Sequence, residues 1–478
     1  MKLKFLMFLI LFFSATKLFA QQYNIQVKTE IDLGQKIEQF RAVPLTIGKE
    51  IPNAVVAMYS EDAEIDPNLG MFFFPKHTLK LAVFDVDGDI IWKKDLGEGV
   101  IPGVWFSPVA AFDLDKDGCD EIWIVNNSNP GHPLDHRAYV LEKRDAKTGE
   151  VLGQWEWPQP YKQQEMSRLF RHFIMGGYVN GEPVLITANG TKQYETIKCW
   201  NSDMTERWVY KKTLDTPGCQ GSHMSPIVDI NNDGVDELLW GERCIELDKG
   251  KMLFCADEET WNGHSDIIEP ILEKETGKWY FFTCRESNND KPDPPRVVLY
   301  DENGNRVWSK IDEGHMDTGW AARIGKNGEP VVLGVKIGEK KRSAEGEFRV
   351  DIEEYTFDAF TGKKIDLGFS VYTTIPVDLN GDGIHELVKG YFEGDGTLLD
   401  NTGKVIGNIG GASAIASKFT GDDGEQILSF SKDGIIRIWW DKNAHDNQIA
   451  KERYANPFYK LNQKQTGNGY NLFNLGGI

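Results

Sequence analysis

Two motifs in the second half of the chain pair a histidine with a carboxylate two residues later. Gly263-His264-Ser265-Asp266 and Gly314-His315-Met316-Asp317 repeat the pattern Gly-His-x-Asp. Residues i and i+2 of a β-strand point to the same face, so each histidine and its aspartate are presented together. Imidazole and carboxylate are suitable ligands for a divalent cation. One such pair also fits a structural hydrogen bond, but two pairs in register with His223 favour a metal site.

Other polar residues stand at equivalent points of an internal repeat. A turn rich in Asp, Asn and Gly begins at Asp113, Asp229 and Asp378, and each copy follows an apolar strand. The residues six positions before these turns are Ser107, His223 and Tyr372. Where the turn is absent, the start of the matching strand carries His172, His264 or His315. In a propeller the inner strands start around the central axis. We therefore expect these side chains to form a ring at one mouth of the channel.

The elements that would position these residues are β-strands. Short runs rich in Val, Ile, Phe, Tyr and Trp alternate with Gly, Asn and Asp turns, and only 161–171 and 443–453 have the pattern of short helices. One hairpin recurs eight times, with an apolar residue, an Asp, a short turn and often a Trp. Its aspartates are Asp85, Asp145, Asp203, Asp248, Asp301, Asp358, Asp400 and Asp441. Their spacing of about 41 to 60 residues is typical of four-stranded propeller blades.

This repeat predicts an all-β, single-domain β-propeller. The ring has seven blades if one of the eight anchors is shared where the N-terminal and C-terminal strands meet, and eight if none is shared. Closure of the ring removes exposed sheet edges, which is a sufficient reason for the architecture. The Asp-rich turns resemble part of a calcium loop but lack the flanking helices and the distal Glu of an EF-hand. A tight turn and a single-loop calcium site are both compatible with them.

Charge and cysteine content narrow the class of partner. The formal net charge is −20, which argues against nucleic acid. An anionic substrate would therefore have to meet a local basic patch. The six cysteines, at 119, 199, 219, 244, 255 and 284, show no zinc or redox spacing. We interpret them mainly as small buried residues, with room for one disulfide.

The N-terminus has the pattern of an export signal. A basic start, Met1–Lys4, precedes the apolar run Phe5–Phe13, and small residues lead to Ala20. We expect residues 1–20 to be a signal peptide and 21–478 to be the catalytic propeller domain of a periplasmic or secreted monomer. A buried N-terminal helix is the alternative. No other stretch approaches the roughly 18 apolar residues of a membrane span.

The order of motifs along the middle of the chain resembles a known group. Gly221-Ser222-His223, the turn 229–237, Asp248-Lys249-Gly250, the motif 263–266 and Arg285-Glu286 follow one another. This order looks like that of the propeller polysaccharide lyases, which include the rhamnogalacturonan lyase and ulvan lyase families. In those families the matching residues bind calcium. The resemblance therefore implies a calcium site formed by His223, His264, Asp266 and Glu286.

A closer likeness extends through 131–139 and 171–189. These segments resemble propellers that act on the rhamnosyl-α-1,4-glucuronate ends of arabinogalactan and gum arabic side chains. That group also contains rhamnosidases that use a histidine near the N-terminus. This chain has no histidine before His77, which favours the lyase. The expected partner is an acidic glycan.

β-Elimination at a uronic acid requires neutralisation of the C6 carboxylate, a base for the C5 proton and an acid for the leaving oxygen. Histidine suits proton transfer because its ordinary pKa is near neutrality. We assign proton transfer to His136 and His172, with Tyr139 or Tyr194 as alternative donors. Carboxylate neutralisation is assigned to Arg171, Arg137 or Arg285, since arginine binds carboxylates in a bidentate manner. Further substrate contacts are assigned to His132 and His315.

Two other functions compete with the lyase. A glycoside hydrolase would usually need two carboxylates beside the scissile bond, and Asp266, Asp317 and Glu286 could supply them. A non-catalytic carbohydrate-binding or protein-binding propeller is the third interpretation, because a fold alone does not fix a function.

Overall fold

β-Strands form almost all of the regular structure, in eight sheets arranged as the blades of a propeller. The computed structural model describes residues 23–159, 165–286, 295–343, 346–391 and 394–478. The expected signal peptide, 1–20, lies outside the described residues. Within each blade consecutive strands pair in antiparallel fashion from the central channel outward.

The strands follow the chain from blade to blade. The first strand, β1 (Ile25–Asp32), belongs to the last blade. Blade 1 contains β2 (Gln39–Leu45), β3 (Ala54–Ser60), β4 (Lys80–Asp85) and β5 (Ile90–Asp95). Blade 2 contains β6 (Val109–Phe112), β7 (Glu121–Asn127), β8 (Tyr139–Asp145) and β9 (Val151–Glu156). Blade 3 contains β10 (His172–Val179), β11 (Glu182–Asn189), β12 (Glu195–Trp200) and β13 (Glu206–Lys212). Blade 4 contains β14 (Ile227–Val228), β15 (Glu237–Trp240), β16 (Arg243–Glu246) and β17 (Met252–Cys255).

The second half of the ring has the same plan except in blade 6, where the sheet has three strands and an additional hairpin is inserted. Blade 5 contains β18 (Ser265–Glu273), β19 (Lys278–Arg285), β20 (Val297–Asp301) and β21 (Arg306–Lys310). Blade 6 contains β22 (His315–Ala322), β23 (Val331–Ile337), an additional hairpin of β24 (Glu339–Ser343) and β25 (Gly346–Val350), and then β26 (Glu353–Asp358). Blade 7 contains β27 (Thr374–Val377), β28 (Glu386–Lys389), β29 (Thr397–Leu399) and β30 (Val405–Asn408). Blade 8 contains β31 (Ala412–Ser417), β32 (Gln426–Phe430) and β33 (Ile435–Asp441).

The ring closes through the N-terminal strand. β1 pairs with β33, with Ile25 opposite Asp441 and Asp32 opposite Ile435. Seven of the repeated hairpins each belong to their own blade. The eighth anchor, Asp441, ends β33 of the last blade, where β1 takes the place of a following strand. The count is therefore eight blades, the higher of the two numbers that the repeat allowed.

The repeated aspartates and tryptophans have separate roles in the blades. The Asp85 carboxylate accepts hydrogen bonds from the backbone of Asp87, Gly88 and Asp89, which closes the turn between β4 and β5. Gly88 adopts a φ of 112° there, a conformation that other residues rarely adopt. The tryptophan after the turn reaches the next blade, because the indole of Trp92 donates to the carbonyl of Ala146 at 2.8 Å. Equivalent inter-blade bonds join Trp208 to Leu247 and Trp308 to Ala359.

The Asp-rich turns are held in the same manner. Asp113 accepts from the backbone of Asp117 and Gly118, and Asp229 accepts from Asp233 and Gly234. These bonds account for the turns without an ion. The Asp113, Asp115 and Asp117 carboxylates do approach within 4.8 Å of one another, but exposed acidic groups commonly do so.

The C-terminal segment was not expected from the sequence, and it fills the central channel. After α1 (Met166–Leu169), the helices are α2 (Gln448–Ala455) and α3 (Pro457–Asn462), followed by 3₁₀ turns at Gln463–Gln465 and Asn471–Gly477. A further 3₁₀ turn occurs at His136–Ala138. The expected helix over 443–453 forms a few residues later as α2. Of the expected helix over 161–171, only α1 forms in the described part, and 161–164 lie outside it.

We call residues 457–478 the C-terminal plug. It contacts the innermost strand of every blade, namely β2, β6, β10, β14, β18, β22, β27 and β31. Inner strands have no further strand on the channel side, and side-chain amides of the plug serve as partners for their backbone groups. Asn462 bonds both the N–H and the carbonyl of Ile227, and Asn468 accepts from the N–H of Ile174. Buried backbone groups need such partners.

All six cysteines lie in the described residues and are free thiols. The disulfide for which the sequence left room is not formed, although the Sγ atoms of Cys219 and Cys255 lie 4.0 Å apart. No helix among the described residues is both long and apolar enough to cross a bilayer.

Candidate functional site

Four residues predicted as metal ligands meet at one mouth of the channel. Candidate ligand atoms of His223, His264, Asp266 and Glu286 all lie within 4.8 Å of one another, and the four side chains are buried. His264 immediately precedes β18, Asp266 lies in β18, Glu286 directly follows β19, and His223 precedes β14. Backbone bonds bring these strand ends together, since the N–H of His223 donates to Ser265 and that of Glu286 donates to His264.

A local irregularity places the aspartates of both Gly-His-x-Asp motifs. The pairing of β18 with β19 shifts register between Ser265 and Ile267, so Asp266 occupies a β-bulge. The pairing of β22 with β23 shifts in the same way around Asp317. Bulges leave one residue unpaired and re-aim its side chain, and they are frequent beside functional sites.

The four-residue cluster has more polar atoms than it has hydrogen bonds. His223 Nδ1 lies 3.3 Å from Asp266 Oδ1, and His264 Nε2 lies 3.0 Å from Glu286 Oε1. His223 Nδ1 and both oxygens of Asp266 are buried and make no hydrogen bond. Buried polar atoms without partners cost stability. A cation bound between them would satisfy these atoms, so the donor set fits a divalent metal ion.

Burial sets the protonation states within the cluster. It lowers the pKa of His264 to about 4 although Glu286 opposes the shift, and it lowers the pKa of His223 well below the usual range, with further lowering by His264. Neutral imidazole is the form that ligates metals. Burial opposes the charge of Glu286, but His264 and Lys192 outweigh it and hold the pKa of Glu286 well below its ordinary value. Burial raises the pKa of Asp266.

A cavity of about 1100 Å³ opens onto this cluster. Glu286, His223 and His315 lie at its wall, so the cluster is accessible from the channel mouth. The wall also carries six Lys and Arg side chains from several blades, namely Arg41, Arg171, Lys192, Lys340, Arg349 and Lys432, together with six carboxylates, namely Glu38, Glu64, Asp66, Glu286, Glu339 and Asp395. Charges of both signs therefore line the cavity, although the whole chain has a net charge of −20. The basic patch that an anionic substrate was expected to require stays a prediction.

Arg171 is the predicted substrate contact that the structure places at the cavity. Its guanidinium lies over the ring of Trp105, 4.4 Å from the centroid, and it donates to both oxygens of Asp66 at 3.2 Å. The two contacts fix the orientation of the guanidinium at the cavity wall. His315, also a predicted substrate contact, places Nε2 3.8 Å from Glu286 and 3.5 Å from Asp317.

The residues predicted for proton transfer lie behind the wall. The rings of His136 and His172 are 5.7 Å apart, in a buried aromatic cluster that includes Tyr139 and Trp157. His172 Nδ1 is 2.8 Å from the carbonyl of Phe106, and the hydroxyl of Tyr139 donates to Pro133 at 2.6 Å. Burial lowers the pKa of His136 to about 4 and that of His172 well below its usual range. β10, which His172 begins, pairs with β11 without a bulge.

The expected ring of side chains is therefore only partly formed. His223, His264 and His315 converge at the mouth, whereas the His172 ring packs between blades and Ser107 is fully buried within the protein. Tyr372 is half-buried and packs against the core of the neighbouring blades. The catalytic roles of His136, His172 and Tyr139 stay predictions.

The remaining predicted contacts lie at other positions. Arg285 is completely buried: it pairs with Glu242 at 3.0 Å and Asp257 at 2.9 Å and stacks on Trp261. Its charge is thus satisfied inside blade 5. The exposed residues of the polar loop in blade 2 include His132 and Arg137. Tyr194 is half-buried in the turn between β11 and β12.

Several cavity residues were missed by sequence reasoning. Tyr391 and Tyr470 lie at the wall, and burial raises the pKa of both hydroxyls well above the ordinary value. Lys340 and Arg349 belong to the inserted hairpin of blade 6. The charged segment that begins at Glu339 interrupts the apolar strand pattern of this blade. That interruption was the sequence signal for an insertion.

Comparison with known proteins gives a consistent fold. No protein-family model matches the chain. The rhamnogalacturonan exolyase YesX of Bacillus subtilis is 26% identical over 221 residues, which is 39% of this chain and 35% of YesX. The rhamnogalacturonan endolyase YesW of the same organism is 22% identical over 223 residues, 39% of this chain and 34% of YesW. The matched segments thus span about a third of these two relatives.

Solved structures extend the likeness to most of the chain. The crystal structure of YesX superposes with a TM-score of 0.74 at 18% identity, over 92% of this chain and 80% of YesX. The fold is the one seen in rhamnogalacturonan lyases. The Bacillus licheniformis rhamnogalacturonan lyase PL11 gives a TM-score of 0.70 at 17% identity, over 94% of this chain and 80% of that enzyme. The likeness to rhamnogalacturonan lyases expected from the sequence is confirmed, and the closer likeness to the arabinogalactan group stays a prediction.

Proposed function

We propose that this protein is a polysaccharide lyase that cleaves L-rhamnose-α-1,4-D-glucuronate linkages of arabinogalactan-type glycans by β-elimination. The observation that carries the proposal is the cavity that opens onto the His223–His264–Asp266–Glu286 cluster and presents Arg171, Lys340 and other cationic side chains at its wall. The sequence similarity to rhamnogalacturonan lyases supports the reaction class. The choice of glycan rests on the sequence resemblance through 131–139 and 171–189.

Positive side chains fixed at the cavity wall fit the needs of the reaction. Elimination proceeds through an enolate-like transition state at the uronic acid, and positive groups fixed near the carboxylate stabilise it. Arg171 is held rigidly by Asp66 and Trp105, so its orientation costs little when substrate binds. Preorganised charge of this kind contributes more than a flexible surface residue would.

The metal that we propose for the cluster is calcium. His223, His264, Asp266 and Glu286 would hold it. When bound, such an ion would supply positive charge that acidifies the C5 proton or fixes the mouth of the channel. The two carboxylates fit calcium, whereas the two imidazoles also fit zinc and related metals. Metal analysis of the purified protein by mass spectrometry distinguishes these ions.

Proton transfer at the cavity requires groups that reach the substrate. His315 is exposed to the cavity and lies beside, not within, the four-residue cluster. We assign to it the removal of the C5 proton. The hydroxyls of Tyr391 and Tyr470 stay protonated because burial raises the pKa of each, and either one would donate a proton to the leaving oxygen. His136 and His172 would act only if the wall of the cavity opened toward them.

The hydrolase alternative has less support from the geometry. Asp266 and Asp317 are completely buried, and Asp317 is already paired with Lys340 and Arg349. Of the three carboxylates expected for a hydrolase, only Glu286 lies at the cavity wall, whereas two are usually needed beside the scissile bond.

The test is incubation of the protein with a rhamnose-capped, glucuronate-containing arabinogalactan. Ultraviolet absorbance from a 4,5-unsaturated uronide, together with free rhamnose, is expected. Free rhamnose without the absorbance, and with solvent ¹⁸O in the product, would indicate hydrolysis. If neither signal appears with this glycan or with rhamnogalacturonan, the protein binds glycans without cleaving them.

Substitution separates the assigned groups from general damage. His315→Ala should lower kcat by at least a hundredfold, within the range of general base catalysis. His445→Ala, at an exposed histidine outside the cavity, is the matched control and should have no effect. We further propose that residues 1–20 direct export, which N-terminal sequencing of the exported protein would test.

A further inference from the structure

The inserted hairpin of blade 6 projects charged residues toward the channel. In the described part of the chain, β24 and β25 are the only strands that pair outside the eight blades. They connect β23 to β26, the second and third strands of the blade 6 sheet. Their insertion next to β22, which begins with His315, places them beside the metal cluster.

The register of this hairpin decides which side chains face the cavity. Lys340 is paired directly with Arg349, and Lys341 is paired with Phe348. Directly opposed residues of antiparallel strands share a face, and neighbours along a strand alternate. Lys340 and Arg349 line the cavity. Lys341 does not line the cavity and is half-exposed, but it pairs at 2.7 Å with Glu339, which does lie at the cavity wall.

Asp317 receives both cations of the inner face. Lys340 Nζ contacts Oδ1 of Asp317, and Arg349 Nε donates to Oδ2. One carboxylate therefore faces two positive charges. The Arg349 side chain is only 2% exposed, whereas that of Lys340 is 26% exposed. The accessible member of the pair is Lys340.

The charge of Lys340 is stable in this setting. Burial opposes it, but Asp317 and Asp266 outweigh burial and raise the pKa of the ammonium group. The group therefore stays cationic and serves as a donor.

We propose that Lys340 binds the carboxylate of an acidic sugar in the cavity, and that Arg349 and Asp317 are positioning residues for it. Arg349 neutralises Asp317, which leaves the Lys340 ammonium free to exchange part of its contact for the ligand. The inference rests on the proposed function, because it names the residue that recognises the uronate. A charge-assisted hydrogen bond is specific for the carboxylate, so a neutral sugar of the same shape would not use it.

The experiment measures binding without catalysis. Isothermal titration calorimetry with glucuronic acid, and with glucose as the neutral analogue, is applied to the full chain. Lys340→Gln should raise the Kd for glucuronic acid by about ten- to a hundredfold, the range of a hydrogen bond to a charged group. Lys340→Arg should restore most of the affinity. Lys326→Gln, at an exposed lysine in the turn between β22 and β23 of the same blade and outside the cavity, is the matched control and should bind like the unmodified protein.

The positioning role has its own readout. Arg349→Gln should weaken the binding of glucuronic acid without a change for glucose, because Lys340 would then be fully engaged by Asp317. Arg349→Lys should rescue it. Equal loss for both sugars would indicate a structural defect and contradict the positioning role.

The outcomes separate this inference from the proposed function. Unchanged glucuronic acid affinity in Lys340→Gln, with normal elimination by the unmodified protein, would overturn the inference alone. Selective loss of affinity in a protein that produces no unsaturated uronide would overturn the lyase and keep the inference. Absence of uronate binding by the unmodified protein would overturn both.

Discussion

Asn468 of the C-terminal plug provides a direct test of how the channel is stabilised. Its side-chain oxygen accepts from the N–H of Ile174 at 2.8 Å, its amide donates to Gln465 at 3.1 Å, and the residue is completely buried. Asn468→Ala removes these partners and leaves the N–H of Ile174 without one. An unsatisfied buried group costs about 1 to 3 kcal/mol. We expect the free energy of unfolding to fall by about 2 kcal/mol.

The assay is urea denaturation followed by tryptophan fluorescence, with Asn303→Ala as the matched control. Asn303 is exposed in the turn between β20 and β21, and exposed substitutions usually change stability by less than about 0.5 kcal/mol. If Asn468→Ala were no more destabilising than the control, the plug would not stabilise the ring through its amide side chains. The argument for its partner role would then fail.

Three further predictions concern the metal cluster, a buried histidine and the thiols. Chelation should lower the melting temperature of the protein, and calcium should restore it, since a ligand at a hundred times its Kd stabilises by about 2.7 kcal/mol. His264→Ala should abolish this response. His445→Ala, the control, should keep it. The pKa of His136 is about 4 in the fold and about 6.5 when unfolded, so the unfolded state binds a proton first. Stability should therefore fall as the pH is lowered from about 6.5 to 4, and His136→Gln should flatten that part of the profile measured by thermal melts at each pH. Treatment with oxidised glutathione should join Cys219 and Cys255, whose Sγ atoms are 4.0 Å apart, with loss of two hydrogens by mass spectrometry; persistence of both thiols would contradict this.

The blades could be predicted from the sequence because their signals are local. The Asp85 turn and the Trp92 anchor each lie within one hairpin, and the hairpin repeats. The meeting of His223, His264 and Asp266 could be predicted because His264 and Asp266 lie in one motif and the repeat places His223 at the neighbouring strand end. Glu286 was added by the resemblance to propeller lyases, and the metal itself stays a prediction. A motif that recurs at a regular interval can be recognised from the sequence alone once several copies are present.

The C-terminal plug could not be predicted in the same way. Its contacts join residues far apart in the chain, such as Asn462 with Ile227 and Asn468 with Ile174. The segment has no repeat of its own, and its Asn, Gln and Gly content reads as a loop. The sequence pattern also could not predict the direction in which the His172 ring points. The start of β10 resembles those of β18 and β22, but only the latter two have a bulge, at Asp266 and Asp317.

The two ends of the described chain determine when the ring can be completed. β1 is the outer strand of blade 8 and pairs with residues 435–441, more than four hundred positions later. The plug touches the inner strand of every blade. During synthesis β1 would therefore lack its partner strand, and the inner strands of the early blades would lack the plug, until residues 435–478 emerge. Open edges of this kind invite pairing with other chains, and long-range closure slows folding.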